Sequence, residues 1–261
     1  MSILISLYTR AGIVYAADRN LTWGPVVFPD DASKVLLWPY RRAILGVVGL
    51  GELEEIQMDE WLRIFIAETR DYETPAEIAG VLLGRVQHAF NGSSELMRKP
   101  RLLIIQIGGF EQVNGVATPV NHMIRNVESD RQGGYTQPET TFRVDDMVRH
   151  YYEGFKEPSR YPEEVRERFE VMERERGHVL HFTQGHKYGM FQHFVGGMYS
   201  ALKYAKGADS ASPLFSLEDW KVFARMSVEA YGAYFTHTRP ENKRFVGDVA
   251  DVRAIPWPKD V

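Results

Sequence analysis

The chain contains no cysteine among its 261 residues. That excludes disulfides, a thiol nucleophile and thiolate metal ligation, and leaves the compartment open. It has no excess of positive charge either: 31 Lys and Arg against 35 Asp and Glu give a formal charge of −4 and a pI near 6.1. An electrostatic footprint for nucleic acid is therefore not expected. No apolar run reaches membrane-spanning length, and the short apolar stretch at the start lacks the basic flank of a secretory signal. Neither a phosphate-binding glycine loop nor a repeat is present. These absences leave a cytoplasmic, soluble protein as the default. What remains is ordinary globular composition, 44% apolar and 25% charged, in a chain long enough to bury a large core.

The first 34 residues organise the rest. Residues 3–8 are an apolar strand, Arg10-Ala11-Gly12 a turn, and 13–17 a second strand running into Asp18. Such a hairpin returns Asp18 to the chain start, where Ser2 stands behind the initiator Met. The interval from Ser2 to Asp18 equals that from Asp18 to Lys34, sixteen residues each. A third strand beginning near Lys34 is expected to lie alongside. A hydroxyl, a carboxylate and an ammonium gathered at a free α-amino group form an activated-nucleophile site.

Further on, 35–38 and 43–48 read as strands around a turn at Pro39-Tyr40-Arg41-Arg42. Gly49-Leu50-Gly51 is expected to open a helix carrying Leu53, Ile56, Trp61, Leu62, Phe65 and Ile66. Thr74, Pro75 and Glu77 spell a capping box for a second helix striped by Ile78, Val81, Leu82, Val86 and Phe90. Residues 102–107 are a buried strand. Gly108-Gly109 and Asn114-Gly115 are read as turns before a strand over 116–124. Residues 162–176 form a charged helix with a narrow apolar stripe. Later helices run through Met190, Phe194, Met198 and Leu202, and from Ser216-Leu217-Glu218-Asp219 through Trp220, Phe223, Ser227, Tyr231 and Tyr234. An alternating strand over 246–255 closes the chain. Strands, helices and strands again predict helices covering sheet faces, an α+β fold.

The words Gly12-Ile13-Val14-Tyr15-Ala16-Ala17-Asp18, Ser33-Lys34-Val35-Leu36 and Ala43-Ile44-Leu45-Gly46-Val47-Val48-Gly49, with the spacing kept, carry a family likeness. The chain resembles the β-type subunits of proteasomes and the peptidase subunits of bacterial ATP-dependent proteases, members of the N-terminal-nucleophile hydrolases. The resemblance implies a four-layer αββα sandwich built as one domain over 1–261, interrupted by an insertion at about 126–177. It implies Ser2 as nucleophile and base after Met1 is removed, with Asp18 and Lys34 as its supporting pair. The oxyanion donor maps to the backbone N–H of Gly49, with Val48 and Gly51 as neighbouring choices. Peptide or protein substrates, a homo-oligomeric ring and an ATPase unfoldase partner follow from the same likeness, with no cofactor.

Serine replaces the threonine that most of the family carries at the terminus, keeping the hydroxyl and losing the methyl that restricts its rotamer. A supporting serine is expected near Gln184-Gly185-His186 and a late acid and serine within 240–246. Neither serine is there, and Glu241 is the only acid. The alternatives are an inactive assembly subunit of the same fold and a small-amide acylase. His178, His181, His186 and His193 lack a ligand pattern, so no metal is expected. Gly196-Gly197 is assigned to close helix packing.

Overall fold

The computed structural model describes residues 2–9, 11–23, 26–28, 32–41, 43–98, 101–113, 116–126, 143–146, 180–185, 188–205, 216–238, 247 and 249–258. Its elements in chain order begin with β1 (Ile3–Thr9), β2 (Gly12–Asp18), β3 (Leu21–Trp23), β4 (Val26–Phe28), β5 (Val35–Leu37) and β6 (Ala43–Gly49). The short strands β7 (Glu52–Leu53) and β8 (Ile56–Gln57) precede the helices α1 (Met58–Glu68), α2 (Pro75–Gly92) and α3 (Ser94–Arg98). Then come β9 (Leu103–Val113), β10 (Val116–Arg125), β11 (Arg143–Asp146), β12 (Leu180–Gly185), α4 (Tyr188–Ala205), α5 (Leu217–Thr238) and β13 (Ala250–Pro256).

Two antiparallel sheets carry the fold. One has the order β12-β1-β2-β13, the other β11-β10-β9-β6-β5. The hairpin β1–β2 is central in the first sheet and every residue of both strands is buried. Strand alternation explains why. Ile3, Ile5, Leu7, Val14 and Ala16 pack with Phe191 and Val195 of α4 and Trp220, Phe223 and Tyr231 of α5. Leu4, Tyr8, Ile13, Tyr15 and Ala17 point the other way, into a cluster with Val35, Ile44 and Val48 of the second sheet. The second sheet repeats the pattern: Leu45 and Val47 of β6 with Ile105 and Ile107 of β9 meet Trp61, Leu62, Ile78, Leu82 and Phe90 of α1 and α2. Strands covered on both faces need near-continuous apolar sequence, which is what residues 3–8 and 43–48 supply.

Both capping boxes form. Thr74 Oγ1 accepts from Glu77 N at 3.2 Å, while Glu77 Oε2 accepts from Thr74 N at 3.0 Å. Ser216 Oγ accepts from Asp219 N at 3.2 Å, and Asp219 Oδ2 accepts from Ser216 N at 2.9 Å. The stripe of α5 buries Trp220, Phe223, Ser227 and Tyr231, leaving Tyr234 turned outward.

Four local expectations are corrected. The strand after Lys34 does not lie beside the first hairpin. β5 is the edge of the other sheet, and the two-stranded β3–β4 ribbon occupies the sequence between Asp18 and that edge. The first long helix starts at Met58, because Glu54 (φ 54°) and Glu55 (φ 63°) form a tight left-handed turn joining β7 to β8. Gly108 and Gly109 lie inside β9, paired with Asn121 and Val120 of β10. A Cβ on Gly108 would stand 2.5 Å from Tyr15 Oη and 2.8 Å from Tyr8 Oη, so this glycine admits tyrosines of the facing sheet. Among the described residues, nothing outside their own helix comes within 4 Å of a Cβ added at Gly196 or Gly197, so the close-packing reading finds no partner there. Most of the stretch at about 126–177, including the charged helix expected at 162–176, lies outside the described residues; within it β11 adds an edge strand beside β10.

Candidate active site

Three segments converge at one end of the two sheets. The β1–β2 register, with Leu4 opposite Ala17, returns the end of β2 to the start of β1. Ser2 is 7% exposed and directly precedes Ile3, whose N–H donates to Asp18 Oδ1 at 2.8 Å. The chain leaves this point at Arg19 and is drawn back by Ala32 N–H, which donates to Arg19 O at 3.3 Å. Lys34 then enters the edge strand of the second sheet, its carbonyl accepting from Val47 N at 2.9 Å. Its ammonium crosses to the first sheet and donates to Asp18 Oδ2 at 2.9 Å, both side chains being at most 5% exposed.

Asp18 is therefore the hub. Oδ1 takes the Ile3 amide, while Oδ2 takes Lys34 Nζ and also the Gly247 amide at 3.1 Å. Gly247 is packed so closely that an added Cβ would lie 2.8 Å from Asn20 Oδ1. A buried carboxylate with three donors is satisfied in the way burial demands. Lys34 is held below the ordinary lysine range, because loss of hydration outweighs the attraction and hydrogen bond of Asp18. An ammonium so poised gives up its proton more readily than a solvated one, and Asp18 links it to the amide that follows Ser2.

Gly49 ends β6 opposite Leu103. Its φ of +110° and a Leu102 carbonyl oxygen only 2.2 Å from a would-be Cβ restrict the position to glycine. The neighbouring choices differ in character. Val48 is a regular, buried member of β6, and the Gly51 carbonyl accepts from Met58 N at 2.9 Å. One residue past Gly49 opens a cavity of about 470 Å³ lined by Leu50, Gly51, Glu52, Glu54, Glu95 and Arg101, among others. Glu52 there is pushed up by partial desolvation and by the carboxylates of Glu55 and Glu95, against the pull of Arg101.

Sequence reasoning missed a second group around Lys34. Ser33 Oγ donates to Asp251 Oδ2, with the Val35 carbonyl as a second acceptor at 3.1 Å, and Ser33 N donates to Asp59 Oδ2 at 3.4 Å. Asp251 is also paired with Arg253 at 2.8 Å. Only Ser33, as the residue before the lysine, had a signal in the sequence; Asp59 and Asp251 are brought in by the fold. Gln184 and Gly185 belong to β12, opposite Leu4 and Ile3, whereas His186 and residues 239–246 lie outside the described residues. Among the described residues no cluster of three His, Asp or Glu side chains is arranged to hold a metal, and no helix is long and apolar enough to cross a membrane.

No family model matches the sequence, and no curated protein does. Among solved structures the chain is similar to one titled "Thiobacillus denitrificans BPH in complex with Epoxomicin", at 11% identity and a TM-score of 0.48, over 98% of this chain and 100% of that one.

Proposed function

We propose that this chain is an N-terminal-serine amide hydrolase of four-layer αββα architecture, acting on peptide bonds. The observation that carries the reading is the buried Asp18 hub, which joins the amide next to Ser2 to the ammonium of Lys34. Removal of Met1 frees the Ser2 α-amine, whose ordinary pKa of about 7.7–8.0 leaves much of it neutral near pH 7–8. The amine takes the Ser2 hydroxyl proton, directly or through water, as Oγ bonds to the substrate carbonyl carbon. Lys34 offsets the negative charge growing on Oγ, and the Gly49 N–H serves the carbonyl oxygen as it becomes an oxyanion. The C–N bond breaks, the leaving amine takes the proton, and an ester on Ser2 remains. Water then attacks the ester, releasing the carboxylic acid and restoring Ser2. A homo-oligomeric ring and an ATPase that feeds it complete the proposal.

An inactive assembly subunit is the second reading, favoured by the absence of a hydroxyl at Gln184-Gly185-His186. Turnover of a panel of fluorogenic peptide amides separates the two. The hydrolase reading expects activity that Ser2→Ala and Lys34→Ala abolish and Ser2→Thr retains. Activity that survives Ser2→Ala, or none in any processed form, supports abandoning it.

A further inference from the structure

We propose that Ser33 and Asp251 form a tie between the edges of the two sheets and act as positioning residues that hold Lys34 on Asp18. The role assigned to Lys34 rests on the hydrolase reading; the tie itself does not.

Lys34 precedes β5, a three-residue edge strand that among the described residues pairs with β6 alone. A short edge strand has few backbone bonds to define its entry. Lys34 must nevertheless cross from this sheet to Asp18 in the other, with both groups buried. The strand that flanks Asp18 is β13, the edge of the first sheet, where Ala250 lies opposite Asp18 and Asp251 opposite Ala17. The bond from Ser33 Oγ to Asp251 Oδ2 therefore joins edge to edge, one residue from Lys34 on one side and one register step from Asp18 on the other.

Asp251 is itself anchored. It is 7% exposed, and its other oxygen is 2.8 Å from Arg253 Nη1 on the same strand. Ser33 is further held through its N–H by Asp59 in the first turn of α1. The charged groups around Lys34 are thus Asp18 from β2, Asp59 from α1, and Asp251 with Arg253 from β13. Among the described residues, Asp18 is the one charged group in contact with the ammonium. Asp59 and Asp251 bind the chain just before it and fix the direction from which the lysine stem enters. Without that constraint the flexible stem gains other rotamers, and a reactive group misplaced by about 1 Å loses on the order of 100-fold in rate.

The test reads Lys34 itself as well as activity. ¹⁵N-detected titration of the Lys34 ammonium in the full-length folded protein is compared for wild type, Ser33→Ala, Asp251→Ala and Ser33→Thr. Untying Lys34 partly rehydrates it, so its titration moves up toward the ordinary lysine value in both alanine variants. Ser33→Thr, which keeps the hydroxyl, restores the wild-type titration. In the same variants kcat falls about 10- to 100-fold with KM little changed. If both alanine variants fold and Lys34 titrates as in wild type, the tie is overturned whatever happens to activity. If Lys34 responds as expected but wild type turns over no amide, the positioning role stands and the hydrolase reading fails. Should Ser33→Ala not fold, Asp251→Ala, which leaves the serine in place, decides.

Discussion

Replacing Asp18 with asparagine keeps its shape and removes its charge, which makes it the sharpest probe of the hub. The carboxylate accepts three hydrogen bonds, one at Oδ1 from Ile3 and two at Oδ2 from Lys34 and Gly247. An amide offers one acceptor oxygen, so its NH₂ group must face either the Ile3 N–H or the Lys34–Gly247 pair of donors. At least one buried donor loses its partner, costing about 1–3 kcal/mol. Lys34, 5% exposed, also loses its counter-charge, and breaking a buried pair this way costs about 3–5 kcal/mol in total. We expect a loss of about 3 kcal/mol, which at an m-value near 3 kcal/mol per molar moves the urea midpoint down by about 1 M.

The pH dependence of that loss has a definite sign. Lys34 already titrates below its ordinary value in the fold, and losing Asp18 lowers it further. Between the folded and unfolded pKa values the unfolded chain binds more protons, so stability rises with pH there. The deficit of Asp18→Asn therefore shrinks as pH rises from the variant's Lys34 value toward the wild-type folded one, which itself lies below the ordinary lysine range, and it does not grow beyond that point. Urea titrations of both proteins at pH 7 and 9.5 measure this. A deficit under about 0.5 kcal/mol, or one that grows with pH, refutes the buried-pair account.

Three other perturbations test the surrounding structure. Gly49→Ala meets both the +110° φ and the Leu102 carbonyl, so stability falls by at least about 1–3 kcal/mol and any amidase activity falls with it; thermal melts and turnover check the two. Gly108→Ala drives a methyl into the Tyr8 and Tyr15 hydroxyls between the sheets, an overpacking cost of about 1–3 kcal/mol by urea denaturation. Tyr231 is pushed up to about 12 by burial and by neighbouring Tyr234, so the folded state holds its phenol proton longer than the unfolded chain. Stability therefore falls from about pH 10 to 12, by on the order of 2 kcal/mol from this group, and Tyr231→Phe flattens that part of the profile.

What could be read from the sequence follows from how local each determinant is. The β1–β2 hairpin was legible because its strands are covered on both faces and its turn carries Gly12, with its φ of +141°. The helix start at Thr74 was legible because a capping box is closed within four residues. Asp18 and Lys34 were legible through a spacing that the folded chain turns into a 2.9 Å contact. Gly108 misled because a glycine is equally demanded by a turn and by tyrosine rings pressing from a facing sheet, and only the packed structure separates these. Lys34 was placed at the right point of the chain, whereas the sheet that its strand joins was not legible, since strand order in space is set by non-local pairing. Asp251 and Gly247 are more than 200 residues from the groups they bind, Ser33 and Asp18, and no local pattern marks them.

The central claim is that Ser2 of the processed chain is the acylated nucleophile. Intact-mass measurement of the purified protein, before and after treatment with a hydroxyl-directed electrophile, tests it most directly when followed by mapping of the N-terminal peptide. The account predicts a chain lacking Met1 that gains one inhibitor equivalent, located on Ser2, with no adduct on Ser2→Ala or Lys34→Ala. A chain that keeps Met1 and gains no adduct, or an adduct that maps to another residue, contradicts it.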